Sequence, residues 1–520
     1  MLRAHPRARR VAIAAFLLAI PAAIAVAVFA ARVPVSPGAL RLAVIEALAE
    51  RLDAEVQIDA LAVDLFPRLT AAGTNLVVRH QGRRDVPPLI TIRTFAVEGG
   101  LLDLWRGRVA LVRLEGLDVQ VPPDRGRFDV APDDGTGHDA SARRRFIVDE
   151  LLATDARVVF IPRDGIKPPK VWSVHTLRME SVSASSSMPF TATLTNAVPP
   201  GQIGVVGEFG PWDRSRPGHT PLAGSFTFEH ADLGAFKGLS GTLASRGAFR
   251  GLLERLEVQG ETTTPDFTLD VAGNPVPLQT AYDAIVDGTD GSTRLERVDA
   301  TLAETRIFAQ GDVAHVEGVE GRVITLDVAI EKGRLEDVLS LAVPGPASPM
   351  TGILSLETTL ILPPGDEDVV RRLQLRGGFR IDNGRFADPG VQRQIGQLSA
   401  RARGRRADAT VPTRPVASDF SGRFALDRGV LSLPTVTFDV PGAVIDLAGR
   451  YALEAETLDF TGSLYMEARL SDAVGGFKGF MLRIVDPLFR KGGQTVVPLK
   501  VTGARRAPAF GLDMGRVFRR

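Results

Sequence analysis

Between Leu458 and Leu470 every second residue is apolar or small. Leu458, Phe460, Gly462, Leu464, Met466, Ala468 and Leu470 alternate with Asp459, Thr461, Ser463, Tyr465, Glu467 and Arg469. A period of two belongs to the β-strand, whose side chains leave the backbone on opposite sides in turn. The stretch therefore predicts a strand with one oily face and one wet face. The segments before it obey the same rule: Val436, Phe438 and Val440, then Ile445 and Leu447, then Tyr451 and Leu453. Pro441-Gly442 and residues 454–457 separate them at hairpin spacing. The pattern predicts a long antiparallel meander with one continuous apolar face. Such a face must be covered by something, and its cover is the key to function.

Composition narrows the classes. The 520 residues include 52 glycines and 35 prolines, which suits many short strands joined by turns. The formal net charge is +1, which provides no field for nucleic acid. There is no cysteine, so disulfides, thiol catalysis and cysteine-ligated metals are excluded.

The N-terminus reads as a membrane anchor. Val11 to Ala31 carries no charge and one proline, and at about 1.5 Å per helical residue it spans a hydrocarbon core. Arg3, Arg7, Arg9 and Arg10 precede it and only Arg32 follows closely, so the rest of the chain is expected across the membrane. A cleaved signal peptide ending at Val28-Phe29-Ala30 is the competing reading.

Ser36-Pro37 then reads as a helix start, with Leu40, Val44, Leu48 and Leu52 four residues apart. Strands follow at Val56/Ile58, Leu61/Val63/Leu65, Leu76/Val78, Ile90/Ile92, Val109 to Leu114 and Leu117/Val119/Val121. Leu101 to Arg108 reads as a helical turn. The expected organisation is an anchor over residues 1–34, an α+β module over 35–130 and a polar linker over 131–145. A middle β region over 146–365 and a C-terminal β region over 366–520 complete it.

In the linker, Asp133, Asp134, His138 and Asp139 lack the spacing of a metal loop, and a solvated connection accounts for them. Strands are expected at residues 158–160, 190–194, 225–228 and 267–271, at Tyr282 to Val286 and at Val323 to Ile330. Helices are expected from Leu233 through Phe236 to Leu239 and from Arg334 to Leu341. Asp287-Gly288-Thr289-Asp290-Gly291 reads as a hairpin turn, because the glutamate that ends a calcium loop is not in place. Farther on, Gly377, Phe379, Ile381, Asp382, Gly384 and Phe386 match Gly422, Phe424, Leu426, Asp427, Gly429 and Leu431, each 45 residues later. Both copies read as strand, tight turn, strand. Arg401, Arg403, Arg405 and Arg406 follow a helix-like VQRQIGQLSA and read as a solvated face or a headgroup patch. Val474, Phe477, Met481, Ile484 and Leu488 form an apolar helical stripe, and Thr495, Val497, Leu499 and Val501 a last long strand. A short one follows at Phe510 and Leu512.

Catalytic signatures do not emerge. The seven histidines do not pair at ligand spacing, and there is no nucleophile elbow, phosphate-binding loop or dinucleotide fingerprint. An enzyme, a metal site and a cofactor are not expected.

The order of these weak signals resembles the AsmA family of Gram-negative envelope proteins. The likeness lies in the capped helix with VQIDALAVDLFPRLTAAGTNLVV, PPLITIRTFAV and GRVALVRLEGLDVQVPPDRG. At the other end it lies in VPGAVIDLAGRYAL, LDFTGSLYMEARLSD, VDPLFRK and VPLKVTGARRAPAF. The resemblance implies a mainly β chain with an N-terminal transmembrane helix. A long twisted antiparallel sheet, curved into an open groove and carrying a few short helices, would follow. It implies inner-membrane anchoring with the N-terminus cytoplasmic and the bulk periplasmic, and a part in phospholipid transport and outer-membrane biogenesis. Phospholipids and the inner membrane are the expected partners, with outer-membrane or envelope assembly proteins as further candidates. The residues expected against lipid are Val436, Phe438, Leu458, Phe460, Leu464, Met466 and Leu470, with Phe379, Ile381, Phe424 and Leu426 from the repeats. The helix with Phe477, Met481, Ile484 and Leu488 would cap the groove or touch a membrane. Two rivals share these features: the side chains fill a closed β core, or the sheet is a scaffold that holds outer-membrane protein strands by edge pairing.

Overall fold

The computed structural model describes residues 41–42, 44–46, 48–49, 54–64, 69–80, 87–100, 103, 106–121, 147–160, 170–183, 185–213, 216–289, 291–316, 321–403, 416–467, 490–491, 494–504 and 507–512. The chain is mainly β with a few short helices. It divides into two compact units. The first holds Met1–Asp232, Leu243–Glu261 and Asp283–Thr293, and the second Leu233–Thr242, Thr262–Tyr282 and Arg294–Arg520. The expected anchor at Val11 to Ala31 lies outside the described residues. No described helix is long and apolar enough to cross a membrane.

The first unit opens with β1 (Ala54–Gln57), β2 (Ala60–Asp64), β3 (Leu69–His80), β4 (Ile90–Gly99) and β5 (Arg108–Val121). Next come β6 (Ile147–Phe160), β7 (Lys170–Val182), β8 (Met188–Ala197), β9 (Pro200–Phe209) and β10 (Pro221–Asp232). β1 and β2 both pair with β3, and the ladder then runs in chain order. One join departs from the expected meander: β5 and β6 are parallel. The two strands expected at Val109 to Leu114 and at Leu117 to Val121 are one strand. Gly116, at φ +64°, lets the backbone kink without ending it. Residues 44 and 48 of the N-terminal helical segment lay Val44 and Leu48 on this sheet. Leu76, Ile92, Leu114 and Leu151 beneath them are at most 1% exposed. Here a helix covers the oily face and closes a core.

β11 (Leu239–Ser240), β12 (Thr242–Leu252), β13 (Arg255–Leu269), β14 (Val276–Val286) and β15 (Thr293–Leu302) follow. The helix expected from Leu233 to Leu239 is a 3-10 turn, Leu233–Ala235, and Leu239 begins β11. The Asp287 to Gly291 stretch is the turn between β14 and β15, where Asp287 Oδ1 accepts from Thr289 N at 2.8 Å.

The second unit continues with β16 (Thr305–His315), β17 (Arg322–Arg334), β18 (Met350–Leu362), β19 (Gln374–Phe386), β20 (Ser418–Asp427) and β21 (Val430–Val440). It ends with β22 (Ala443–Ala452), β23 (Thr457–Met466), β24 (Arg490–Lys491), β25 (Gln494–Ala504) and β26 (Ala507–Leu512). Among the described residues the pairings from β16 to β26 are antiparallel, with β23 joined to β25. The 45-residue repeat takes two forms. In the second copy Arg428 (φ +46°) and Gly429 (φ +70°) make a two-residue hairpin turn between β20 and β21. The first copy is no hairpin: β19 runs through it, with a register shift between Ile381 and Gly384 and only Asn383 at positive φ. One left-handed residue inserts a bulge, whereas two in succession reverse the chain.

The candidate apolar face

Directly paired residues on antiparallel strands point to the same side of the sheet, so register assigns the faces. One row crosses eight strands from β17 to β25: Leu326, Leu360, Leu375, Leu426, Leu431, Tyr451, Leu458 and Gly503. Four residues along lies a second row: Ile330, Leu356, Phe379, Gly422, Val436, Leu447, Gly462 and Leu499. The next row holds Leu354, Ile381, Phe420, Phe438, Ile445, Leu464 and Val497. Between the first two lie Gly377 with Phe424, and Gly449 with Phe460. Eight strands at about 4.8 Å make each of the first two rows about 34 Å long.

All ten described candidates from the sequence share this face. Val436, Phe438, Leu458, Phe460, Leu464, Phe379 and Phe424 are half-buried on it. Met466, Ile381 and Leu426 are buried, at 5%, 9% and 8% exposure. Leu470, Phe477, Met481, Ile484 and Leu488 lie outside the described residues. Ile445, Leu447, Tyr451, Leu356, Phe420 and Leu499 belong to the same rows and were not among the expected contacts. The alternation that marks Leu458 to Leu470 also marks them.

Rings and glycines alternate across neighbouring strands. Phe379 stands opposite Gly422, and Phe460 opposite Gly449. A Cβ at Gly449 would meet the Asp459 carbonyl first and the Phe460 ring at 2.6 Å, so the glycine is required by the close approach of the neighbouring strand and its ring. The aromatic edges also meet one another: Phe420 and Phe438 have centroids 4.6 Å apart, and Phe379 and Phe424 6.3 Å apart.

Two helices cover one margin of the face. Val338 and Leu339 of the helix Leu335–Ala342 pack with Ile330, Leu354 and Ile381. Ile395, Leu398 and Ala402 of the helix Pro389–Ala402 pack with Val440, Ala443, Met466 and Val497. Polar contacts pin both helices. Buried Asp337 accepts from Thr305 Oγ1 at 2.8 Å and from Glu304 N at 3.2 Å, and Asn274 Nδ2 donates to the Ser340 and Val343 carbonyls. Ser399 Oγ donates to Pro441 O at 2.8 Å, and Gln392 Nε2 to Val416 O at 2.7 Å. Arg334 donates to Glu304 and Glu336, and chiefly the Glu304 hydrogen bond holds its pKa above the usual arginine value.

The opposite face is wet. Thr437 donates to Asp446 at 2.8 Å and Thr359 to Asp327 at 2.9 Å, while Arg376, Arg380 and Arg423 stand exposed. Among the described residues no group of three or more His, Asp or Glu is placed to hold a metal. Comparison of the chain with family models, with curated proteins and with solved structures gives no match.

Proposed function

We propose that this chain is an inner-membrane-anchored, periplasmic lipid-handling protein of the AsmA type. Its open apolar β face would bind phospholipid tails and assist lipid transfer and outer-membrane biogenesis. The observation that carries the proposal is the half-burial of Leu458 and Val436 in rows eight strands wide, with Phe460 and Phe424 half-buried between them. Among the described residues, the packed clusters that hold the two helices do not include these four side chains. Each CH₂ removed from water on such a surface contributes about 0.8 kcal/mol. A tail therefore gains its binding energy without polar partners, and a face made of repeated rows lets it move sideways. The sequence resemblance and the charge-free Val11 to Ala31 stretch support the envelope setting.

The test is photo-crosslinking in living cells, with benzoylphenylalanine at Phe460 or at Asp459 on the wet face of the full chain. Phospholipid adducts are expected at position 460 and not at 459. Adducts at neither position overturn the proposal. Adducts at position 460 with outer-membrane barrel precursors alone move the protein to a scaffold for barrel assembly.

A further inference from the structure

Burial on the apolar face changes along the strands. At the helix margin Val440, Ala443 and Met466 are 1%, 3% and 5% exposed, whereas Phe460 and Leu458 farther along β23 are half-buried. One long side of the face thus ends against protein, and the other ends at the hairpin turns such as Arg428-Gly429. We infer that the helices Leu335–Ala342 and Pro389–Ala402 are an end wall for lipid tails. Tails lie parallel to the strands with their methyl ends at the wall and their headgroups beyond the Leu458 row, and the wall position sets the tail length accepted. The inference rests on the lipid-handling proposal.

Three observations carry it. First, the wall is fixed. Asp337, Asn274, Ser399 and Gln392 tie the two helices to turns elsewhere in the unit, so a tail meeting them meets a pinned surface. Second, the length fits. Leu458 to Leu464 covers about 20 Å of strand. A hydrocarbon core of about 30 Å holds two tails end to end, or about 15 Å each. One tail fits between the turns and the wall; two in line do not. Third, a headgroup must stay in water. A lipid lying across the strands would place its phosphate over leucine and phenylalanine side chains. A lipid lying along them lets the phosphate leave over the turns, and the lipid can still step from strand to strand.

The experiment uses the full chain in cells, with benzoylphenylalanine at Leu458 or at Leu464 and fragmentation of the captured phospholipid. Attachment is expected near the headgroup end of the tail from position 458 and near the methyl end from position 464. Identical attachment profiles from the two positions overturn the inference while leaving lipid binding intact. Absence of any adduct fails the underlying proposal instead. A second arm keeps the probe at Phe460 and moves the wall. Leu464→Trp fills the row beside the helices and should shift captured lipids toward shorter acyl chains. Leu398→Ala opens the wall and should shift them toward longer ones. Unchanged chain lengths in a folded Leu398→Ala protein refute the wall even if Leu464→Trp does not fold.

Discussion

Two regions of this chain obey the same period-two rule and end in opposite conditions. In the first unit, Ile92, Leu114 and Leu151 are sealed beneath the helical residues Val44 and Leu48. In the second, Leu458, Phe460 and Phe424 occupy equivalent inward positions on their strands and stay half-buried. The difference lies in where the helices sit. In the first unit a helical stripe lies over the rows; in the second the helices stand at one margin. Alternation specifies that a face is apolar and says nothing of the layer opposite. A closed core is a stability device, whereas a face left half-open keeps its transfer energy available for a ligand.

That contrast is easiest to break with a buried charge. Leu114→Asp places a carboxylate among Phe95, Ala153 and the covering helix, and should cost more than about 4 kcal/mol and unfold the first unit in thermal circular dichroism. Leu458→Asp should leave the melting profile near that of the wild type and abolish lipid adducts at position 460. Equal destabilisation by both would mean that the second face is closed as well. Truncation sharpens the same point: Ile92→Ala should cost about 3 kcal/mol in chemical denaturation, and Phe460→Ala about 1 kcal/mol or less. Glycine substitutions come next. Gly449→Ala, forced against the Phe460 ring, should destabilise more than Gly429→Ala, which meets nothing within 4 Å and costs only its φ of +70°, about 1 kcal/mol. The smallest effect belongs to the wet face. Arg93 is exposed, and its pKa is raised chiefly by the hydrogen bond it donates to Asp155, with Glu115 also contributing. Any stability linked to a raised arginine pKa is complete below the usual arginine value and is lost as pH rises through the raised one, so it is constant across neutral pH. Because the pair is exposed and screened by solvent, Arg93→Ala should leave the unfolding midpoint nearly unchanged, and equally so across neutral pH.

Most strands were readable because their two faces differ: Ile90/Ile92, Val323 to Ile330 and Leu458 to Met466 all fall where alternation puts them. The short helix from Leu335 and the longer one through Ile395 were readable from their apolar spacing. The misreadings involve backbone signs that residue type reports poorly. Asn383-Gly384 and Arg428-Gly429 look alike, yet only the second sets two successive residues left-handed. The apolar stripe after Asp232 is too short to gain from a third helical turn, and the chain returns to a ladder at Leu239. The sequence already grouped Phe379, Phe424, Val436 and Phe460 on one apolar face, but which of their neighbours stand opposite one another was beyond reach, because it depends on register accumulated over five strands. The parallel pairing of β5 with β6 had no local signal at all.

That pairing bears on how the chain acquires its structure. From β6 to β9, and again from β20 to β23, each strand joins its predecessor after a short excursion, so the ladder can lengthen as residues emerge from synthesis or export. The step from Val121 to Ile147 is different. β5 has 14 residues and is about 46 Å long, and residues 122–146 must bring the chain back along that length before a single hydrogen bond of the parallel ladder can form. Loop entropy is lost there before any contact offsets it. The join is thus a step at which folding is expected to slow, and until it forms β5 is an edge strand.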